Sequence, residues 1–474
     1  MDRRLIERLR ALLGEAGIVS DPALTLPYES DGLALLHHHP ELVVLPRDTT
    51  QAAGAMRILH EAGVPVVSRG AGTGLSGGAT PVPGGVVLGT ARMRDVLEVE
   101  PVDRFARVQA GVVNVDLSRA ASKHGLFYAP DPSSQQACTI GGNVGENAGG
   151  PHCFKYGATT RSVLGLVLVT ETGEVLDLSA PQVDPHGLDL VGLFVGSEGL
   201  LGLATEVTVR LTPLPELVET LLAVFRDLDS ACDTVSDLIA ARLEPSAIEI
   251  LDKLTIEAVE QSVFAAGYPT DAEAVLLVDV DGAAAEVALT VREIVAAMQR
   301  RGAIQVRTAR TEHERKMLWA GRKGAFGAMG RVAPDLYVAD VVVPRTRLRE
   351  VVVRTTEIAR AKRLKLATVF HAGDGNLHPN MCYDRRDPDE VRRVVEAGHE
   401  IMELCLSVGG SLTGEHGVGL EKLDMMERLF SRDDLATMCL VRDAWDPARR
   451  LNPGKLVPVR ACRETRQALA GGAR

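Results

Sequence analysis

The strongest constraint on the fold is a glycine-rich segment, RGAGTGLSGG at residues 69–78, which follows directly on the strand-like run VPVVS. Closely spaced glycines let consecutive backbone N–H groups turn toward one concavity, which can hold a pyrophosphate. TPVPGG and a second strand follow, whereas a Rossmann fingerprint requires a helix and a Walker loop requires Gly-Lys-Ser/Thr. The segment therefore predicts either a phosphate-binding turn between two strands or a plain flexible connection.

Two further segments favour the phosphate-binding interpretation. Residues 130–157 are rich in Gly, Asn and Ser, which predicts a long functional loop rather than a helix. Residues 196–202, GSEGLLG, precede the strand ATEVTVRL and offer another close approach of the backbone to a ligand. Together the three segments favour a bound cofactor over a flexible connection.

The order of strand-like and helical patterns predicts an α+β fold with four segments. An N-terminal helical segment is expected at residues 1–40, and a cofactor-binding domain of short β-branched strands at residues 41–215. Residues 216–425 approximate two successive ferredoxin-like α+β units, which side by side would form a broad antiparallel sheet. Residues 426–474 are expected to form a helical segment that returns to the cofactor site.

The C-terminal half concentrates metal-ligating residue types in two segments, HAGDGNLHPN and GGSLTGEHGVG. A hairpin between His371 and His378 would bring both imidazoles to one side, and Glu415 would add a carboxylate. This set suits Zn²⁺ or a similar divalent ion and leaves positions open for a ligand. The alternative is that these are ordinary polar loop residues. Glu415 and His416 are adjacent and would face opposite ways in an extended segment, unless the flanking glycines allow other backbone angles.

With these motifs the sequence resembles the vanillyl-alcohol-oxidase (PCMH-type) family of FAD enzymes, in its glycolate oxidase D-subunit and D-lactate dehydrogenase branch. The resemblance covers residues 41–455 and implies a two-subdomain FAD-binding domain that holds FAD without a covalent link. It assigns the first glycine segment to the pyrophosphate, the second to the flavin and ribityl chain, the third to the adenosine side, and the final RRLNPGK to closing the site. The implied FAD residues are Arg69, Gly70, Ala71, Gly72, Thr73, Gly74, Leu75, Ser76, Pro130, Asp131, Ser133, Ser134, Gly141, Gly142, Asn143, Gly145, Asn147, Gly196, Glu198, Gly199, Gly202 and Asn452.

The same resemblance implies the chemistry. The two histidines and Glu415 would hold the metal ion, and His416 would take the hydroxyl proton of a small 2-hydroxy acid while a hydride passes to flavin N5. Arg322 is the expected carboxylate clamp, with a solvated helix residue as the alternative, and Asn380 would also touch the substrate. Relatives that act on 2-hydroxyglutarate carry a second basic residue near the position of Val338. Its absence favours glycolate or D-lactate over D-2-hydroxyglutarate.

Other functions remain open at this stage. Reduced FAD could pass electrons to a partner or quinone, or to O₂ in an oxidase. A non-catalytic FAD-binding subunit should lack the His/Glu cluster, which this chain retains. A metal-dependent hydrolase with the same ligands would leave the glycine segments unexplained.

The charge and the cysteine content indicate which binding partners and which cellular location to expect. A net charge of −11 would repel nucleic acids and anionic membrane surfaces. The seven cysteines include no C-x-x-C pair, which predicts a chain without disulfides and without the usual iron–sulfur cluster. A one-electron relay would then lie on another chain, and the resemblance implies a second flavin subunit and an iron–sulfur subunit. The N-terminus resembles an amphipathic helix rather than a signal peptide, so a cytoplasmic location is expected, with any membrane association through partner subunits.

Overall fold

The computed structural model describes residues 1–180, 187–458 and 460, and the chain forms two compact units. The first unit contains Met1–Gly149, Ala158–Leu214 and the segment that begins at Glu415. The second unit contains Gly150–Gly157 and Pro215–Gly414. The sequence did not indicate that the short segment Gly150–Gly157 belongs with the second unit.

The predicted segment boundaries differ in detail from these units. The second unit starts at Pro215, next to the expected 216, but it ends at Gly414 instead of 425. The residues expected to form a separate N-terminal segment belong to the first unit. The end of the predicted C-terminal segment, at residues 459 and 461–474, lies outside the described residues.

The first unit contains a mixed sheet and an antiparallel sheet. Its strands are β1 (Ile18–Val19), β2 (Val43–Val44), β3 (Val66–Arg69), β4 (Val86–Gly89), β5 (Val96–Glu100), β6 (Phe105–Gln109), β7 (Leu126–Phe127), β8 (Val163–Val169), β9 (Val175–Leu178), β10 (Leu203–Arg210) and β11 (Thr212–Pro213). One sheet has the order β1-β2-β4-β3, in which β2, β4 and β3 run parallel. The other has the order β5-β6-β10-β8-β9, and β11 pairs with β7.

The second unit is built on one antiparallel sheet of nine strands. Its strands are β12 (Leu217–Phe225), β13 (Ala247–Asp252), β14 (Ala274–Gly282), β15 (Gln305–Thr308), β16 (Asp335–Val338), β17 (Val341–Val342), β18 (Lys365–His371), β19 (Asn376–Leu377) and β20 (Pro379–Tyr383). The main path is β15-β12-β14-β13-β18-β19-β17, and β20 pairs with both β18 and β16. The pairing of β13 with β18 joins the two α+β units that the sequence predicted into one sheet.

Both units also contain helices. In chain order they are α1 (Arg3–Leu13), α2 (Pro22–Thr25), α3 (Thr49–Glu61), α4 (Asn114–Ser122), α5 (Ile140–Glu146), α6 (Cys153–Tyr156), α7 (Leu190–Phe194), α8 (Leu228–Ala240), α9 (Lys253–Glu260), α10 (Ala284–Arg300), α11 (Glu312–Ala328), α12 (Leu348–Ala361), α13 (Pro388–Ser407), α14 (Met426–Leu429) and α15 (Arg432–Trp445).

The cores form because the apolar faces of these helices cover the sheets. Asp48 caps α3, which places Met56 and Leu59 against the buried Val44 and Leu88 of the parallel sheet. In the second unit, α11 packs its buried face on the antiparallel sheet. These two layers hold the loops and strand ends that carry the predicted site residues.

Two further features of the chain are membrane-spanning helices and disulfides. No helix in the described part of the chain is both long and apolar enough to cross a membrane. Cys439 is disulfide-bonded, so the prediction of a chain without disulfides is wrong at this residue. Spacing along the sequence does not reveal which distant cysteines meet in the fold. Cys138, Cys153, Cys232, Cys382 and Cys405 are not disulfide-bonded.

Candidate active site

The first glycine segment connects β3 to β4 without a helix, as the sequence predicted. Among the described residues, none of the N–H groups of residues 71–78 donates a hydrogen bond to a main-chain carbonyl. The Ser76 hydroxyl is buried and has no hydrogen-bond partner within this part of the structure. Backbone and hydroxyl donors that lack protein partners need another acceptor. The segment therefore has the chemistry to bind an oxygen-rich ligand.

Nearby glycines leave room beside this segment. A Cβ atom at Gly145 would meet no heavy atom within 4 Å, and one at Gly74 would meet only the Asp31 carboxylate at 3.7 Å. By contrast, a Cβ at Gly70 would lie 2.5 Å from the Thr139 hydroxyl, so there the backbone itself is in close contact. Gly74 and Gly145 thus leave space beside the segment, whereas Gly70 allows close packing of the backbone.

The segment at residues 130–157 differs from the prediction of a long loop without helix, because it contains α5 and α6. Thr139 caps α5 by accepting a hydrogen bond from the N–H of Gly142, and Ile140 and Val144 are buried one turn apart. The cap and the buried apolar pair outweigh the poor helix propensity of three glycines in seven residues. Asn147 ends the helix in a left-handed conformation.

Several side chains predicted to contact FAD are engaged in holding these segments together. The Arg69 guanidinium donates to the main-chain oxygen of Ser30 at 2.7 Å. Asn452 accepts from the N–H of Ser68 at 3.1 Å and donates to the carbonyl of Glu198 at 2.5 Å. These contacts show how the end of the chain is attached to β3 and to the third glycine segment. Direct contact of each residue with FAD stays a prediction.

Glu198 makes a connection that the sequence did not reveal. Its carboxylate accepts hydrogen bonds from the N–H groups of Val418 and Gly419, each at 2.7 Å. These residues closely follow His416, the predicted base. A Cβ at Gly417 would lie 2.7 Å from a Glu198 carboxylate oxygen, so a glycine is needed there. Glu198 therefore restrains the segment that carries His416.

The same region buries several charges. Burial raises the pKa of Glu198, and burial together with the charge of Glu198 raises the pKa of Glu146 well above its ordinary value. Burial also lowers the pKa of Lys455 to about 8. The Lys455 ammonium donates to the carbonyls of Gly78 and Thr80, both at 2.6 Å, so it holds the end of the first glycine segment.

Glu415 and His416 begin the last segment of the first unit. An extended segment would point these neighbours to opposite faces, but Nε2 of His416 lies 3.8 Å from Oε1 of Glu415. Gly417 has a φ of +82°, a left-handed conformation that favours glycine. The flanking glycine thus permits the departure from extended geometry that the sequence analysis considered.

In the second unit the turn between β18 and β20 brings His371 and His378 together, as predicted. Their ring centroids are 5.0 Å apart and the rings are perpendicular. Both residues are buried, at 3% and 7% exposure. Two buried imidazoles this close can serve as neighbouring ligands of one metal ion.

Glu249 is a site residue that the sequence analysis missed. It lies opposite His371 where β13 pairs with β18, and its Oε1 is 2.7 Å from His371 Nδ1. Its Oε2 accepts a hydrogen bond from Nε of Arg322 at 2.5 Å. Burial alone would raise the pKa of Glu249, but the interactions with Arg322 and His371, including their hydrogen bonds, together outweigh burial, so this pKa is lowered. An acid inside the apolar run SAIEILD was the available signal, since a buried charge needs a partner.

This contact defines the tautomer of His371. The carboxylate of Glu249 can only accept, so Nδ1 carries the proton. The 3.4 Å approach of Arg322 Nη2 to the same nitrogen is longer and would require a lone pair there, so the shorter charge-assisted bond prevails. Nε2 of His371 then presents its lone pair. A histidine that donates one ring N–H to a carboxylate and offers the other nitrogen is typical of metal ligands.

Asp340 is a second missed carboxylate near the histidine pair. It is fully buried, and its Oδ1 lies 3.7 Å from Nδ1 of His378. Its Oδ2 accepts hydrogen bonds from the Thr413 hydroxyl at 2.5 Å and from the Gly414 N–H at 2.9 Å. Asp340 thereby ties the end of the second unit to the strands that carry the histidines.

Both residues predicted to bind substrate are buried in the second unit. Arg322 is 4% exposed, so the alternative of a solvated helix residue is wrong; its helix turns it onto the same face as the core residue Leu318. Asn380 donates from its side chain to the carbonyl of His378 at 2.7 Å. Val338 pairs with Asn380 across two strands, so an apolar side chain shares its face of the sheet.

Comparison with known proteins identifies the family. Residues 40–179 match the family described as FAD binding domain, and residues 214–456 match FAD linked oxidases, C-terminal domain. The chain belongs to the FAD-linked oxidases. Glycolate oxidase subunit GlcD of Escherichia coli K12 is 47% identical to this FAD-linked oxidase, over 91% of the chain and 87% of the relative. The D-lactate dehydrogenase of Anaerostipes hadrus is 31% identical, over 95% of the chain and 97% of the relative.

Solved structures agree on the fold. p-Cresol methylhydroxylase with substrate bound is 17% identical and superimposes with a TM-score of 0.82, covering 96% of both chains. The 4-ethylphenol oxidase from Gulosibacter chungangensis is 19% identical with a TM-score of 0.80, covering 96% of this chain and 97% of its own. The predicted fold class, the vanillyl-alcohol-oxidase type of FAD enzyme with an antiparallel C-terminal sheet, is confirmed, and the protein is a FAD-dependent oxidoreductase.

The residues present fit FAD, which the family assignment implies, and a divalent metal ion, which the sequence suggests. Donors without protein partners and open space beside Gly74 and Gly145 suit FAD. The histidine pair, with Nε2 of His371 presented by Glu249, suits a divalent ion.

Proposed function

We propose that this FAD-linked oxidase converts a small 2-hydroxy acid, glycolate or D-lactate, to the corresponding 2-oxo acid. The observation that carries the proposal is the similarity to proteins named glycolate oxidase subunit and D-lactate dehydrogenase over at least 91% of the chain. FAD, when bound, supplies the two-electron acceptor at flavin N5.

His416 acts as the base that takes the proton from the substrate hydroxyl. An imidazole, whose unperturbed pKa is about 6.5, suits this task at neutral pH. The hydrogen bonds that the N–H groups of Val418 and Gly419 donate to Glu198 support the role, because they restrain the backbone just after His416. A base must be held within hydrogen-bond reach of its proton to be effective.

Arg322 binds the substrate carboxylate and Asn380 contacts the substrate. The Nε of Arg322 is bonded to Glu249, which fixes the direction of the guanidinium. A fixed guanidinium loses less freedom when it binds a carboxylate than a mobile one does. The burial of both residues supports a small substrate enclosed by protein.

His371, His378 and Glu415 hold a divalent ion, with Zn²⁺ as the proposed metal. When bound, the ion would act as a Lewis acid and would lower the pKa of the substrate hydroxyl. The presented Nε2 of His371 supports this ligand set. The position of Glu415 also supports this ligand set. Glu415 follows Gly414 in the chain, and the Gly414 N–H donates a hydrogen bond to Asp340, whose other carboxylate oxygen lies near His378.

The apolar Val338 opposite Asn380 supports a monocarboxylate substrate, since a second carboxylate there would lack a cationic partner. The alternative is a D-2-hydroxyglutarate dehydrogenase-like enzyme. Some relatives hold the flavin covalently through a His or Cys, and His152 and Cys153 are the nearest candidates in this chain. Their contacts with protein groups support non-covalent FAD, because the His152 ring lies 5.3 Å from the Trp319 ring and the Cys153 sulfur accepts a hydrogen bond from the Gly150 N–H.

Electrons pass from reduced FAD to a partner chain or quinone, in an assembly with a second flavin subunit and an iron–sulfur subunit. The similarity to relatives named as subunits supports this proposal. An oxidase that uses O₂ directly is the alternative. Oxygen consumption by the purified chain, compared with reduction of a quinone analogue, distinguishes the two.

Anaerobic mixing of the yellow protein with glycolate, D-lactate, L-lactate and D-2-hydroxyglutarate tests the substrate and the base together. We expect flavin absorbance to bleach fast with glycolate or D-lactate. His416→Ala should slow bleaching by about 10²–10⁴-fold with FAD retained, because a positioned base contributes that much. His124→Ala, on the exposed surface of the first unit, is the matched control. Undiminished bleaching in His416→Ala would remove this residue from the mechanism, and bleaching by D-2-hydroxyglutarate alone would favour the alternative substrate.

A further inference from the structure

Glu249 bridges two residues with different proposed tasks. One carboxylate oxygen contacts Nδ1 of His371, a proposed metal ligand, and the other accepts from Nε of Arg322, the proposed substrate clamp. All three residues are buried. The bridge stands where β13 pairs with β18, so the backbone register sets its geometry.

We propose that Glu249 is a positioning residue that keeps His371 in its metal-binding tautomer and aims Arg322 at the same time. The inference rests on the proposed metal site. Because Glu249 accepts at Nδ1, the His371 proton stays there and the lone pair stays on Nε2. Because the second oxygen accepts from Arg322, the guanidinium cannot rotate without breaking a buried charge-assisted bond. One side chain thus couples the ion site to the anion-binding residue.

A glutamine at this position should reverse the tautomer. Nε of Arg322 is a donor and needs the amide oxygen, so the amide NH₂ must face His371. Nδ1 would then have to accept, which moves the ring proton to Nε2 and removes the lone pair that binds the ion. A purely structural Glu249, present only to neutralise Arg322, would leave metal affinity unchanged as long as the protein stays folded.

Asp252 provides a matched control. It lies at the end of the same strand, it is partly buried, and it accepts hydrogen bonds from the N–H groups of Thr255 and Thr368 at 2.9 and 2.7 Å. Asp252→Asn therefore perturbs a hydrogen-bonded carboxylate of β13 that has no contact with His371 among the described hydrogen bonds. Any general loss of stability in this strand will appear in both variants.

The experiment is a Zn²⁺ titration of the FAD-loaded, full-length protein in chelator-buffered solutions, with bound metal measured by mass spectrometry. We expect Glu249→Gln to bind Zn²⁺ about 10- to 100-fold more weakly than wild type. The Zn²⁺ affinity of Asp252→Asn should stay within about twofold of wild type. The expected loss of affinity comes from removing the hydrogen-bond partner of a metal ligand, and Asp252 is not such a partner. FAD content should be equal in all three proteins.

Glu249→Asp adds a second test that keeps the charge beside Arg322 but withdraws the carboxylate from His371. Glu249→Asp should also weaken Zn²⁺ binding. It replaces Glu249→Gln as the test variant if Glu249→Gln does not fold. Wild-type affinity in the folded variants would overturn the role of Glu249 alone. A wild-type protein that binds no Zn²⁺ would overturn the metal site itself and the inference with it.

Discussion

Replacing Gly419 by alanine tests whether contact between two segments of the first unit holds the candidate FAD loop in place. Gly419 has a φ of +52°, and a Cβ built on it would lie 2.2 Å from the main-chain oxygen of Ser76. The N–H groups of Leu420 and Glu421 donate to that same oxygen, at 2.9 and 3.0 Å. An added methyl group would therefore separate backbone from backbone and break these bonds.

The magnitude follows from two contributions that a control can separate. A left-handed conformation costs an L residue about 1–2 kcal/mol. Gly84 has a similar φ of +69° but no heavy atom within 4 Å of its Cβ position, so Gly84→Ala carries only this first contribution. Gly419→Ala adds overpacking against a fixed backbone atom, on the order of 1–3 kcal/mol. The difference between the two variants should equal the second contribution.

Urea denaturation of the two variants measures this difference, and the ratio of FAD to protein after gel filtration reports on the loop. We expect Gly419→Ala to unfold at lower urea than Gly84→Ala and to lose FAD, since displacement of Ser76 disturbs the donors of the first glycine segment. Equal unfolding midpoints, with FAD fully retained by Gly419→Ala, would refute the reasoning.

Two further outcomes concern buried polar groups of the same unit. Asn452→Ala should lower the free energy of unfolding by about 1–3 kcal/mol in urea denaturation, because the Ser68 N–H and the Glu198 carbonyl lose their partner; an unchanged midpoint would show that other groups replace it. Burial lowers the pKa of Lys455 to about 8, below the ~10.4 of an unfolded chain, so between these values the unfolded chain binds more protons. Wild-type stability should then rise from about pH 7 to 9.5 by on the order of 2 kcal/mol relative to Lys455→Met, and parallel pH profiles of the two proteins would contradict the assignment.

The sequence predicted those parts of the fold that local signals determine. Local signals determine where the helix Pro388–Ser407 begins, because Asp387 supplies a cap and Pro388 suits the first turn. The strand-turn-strand nature of the first glycine segment was also evident, since no helix former follows it. α5 was missed, because its stability comes from the burial of Ile140 and Val144, which composition does not report.

Within the candidate site, the residues that were predicted and those that were missed differ in kind. His371 and His378 are close in sequence, and a single turn brings them together, so their pairing could be inferred. Glu249 is 122 positions away from His371 along the chain, and only the register of β13 with β18 makes them neighbours. No periodicity within SAIEILD specifies that partner.

The buried carboxylates of the candidate site share a physical reason for being where they are. An ionised group in a protein interior is tolerated only when fixed donors surround it, so each such acid is bonded to the backbone or to a cation. Glu198 binds the two N–H groups that closely follow His416, and Glu249 binds His371 and Arg322. A carboxylate with several hydrogen bonds cannot move without breaking one of them. It therefore also restrains the groups that are bonded to it. The side chains proposed for chemistry are therefore attached to buried acids rather than to apolar packing, which sets direction as well as distance.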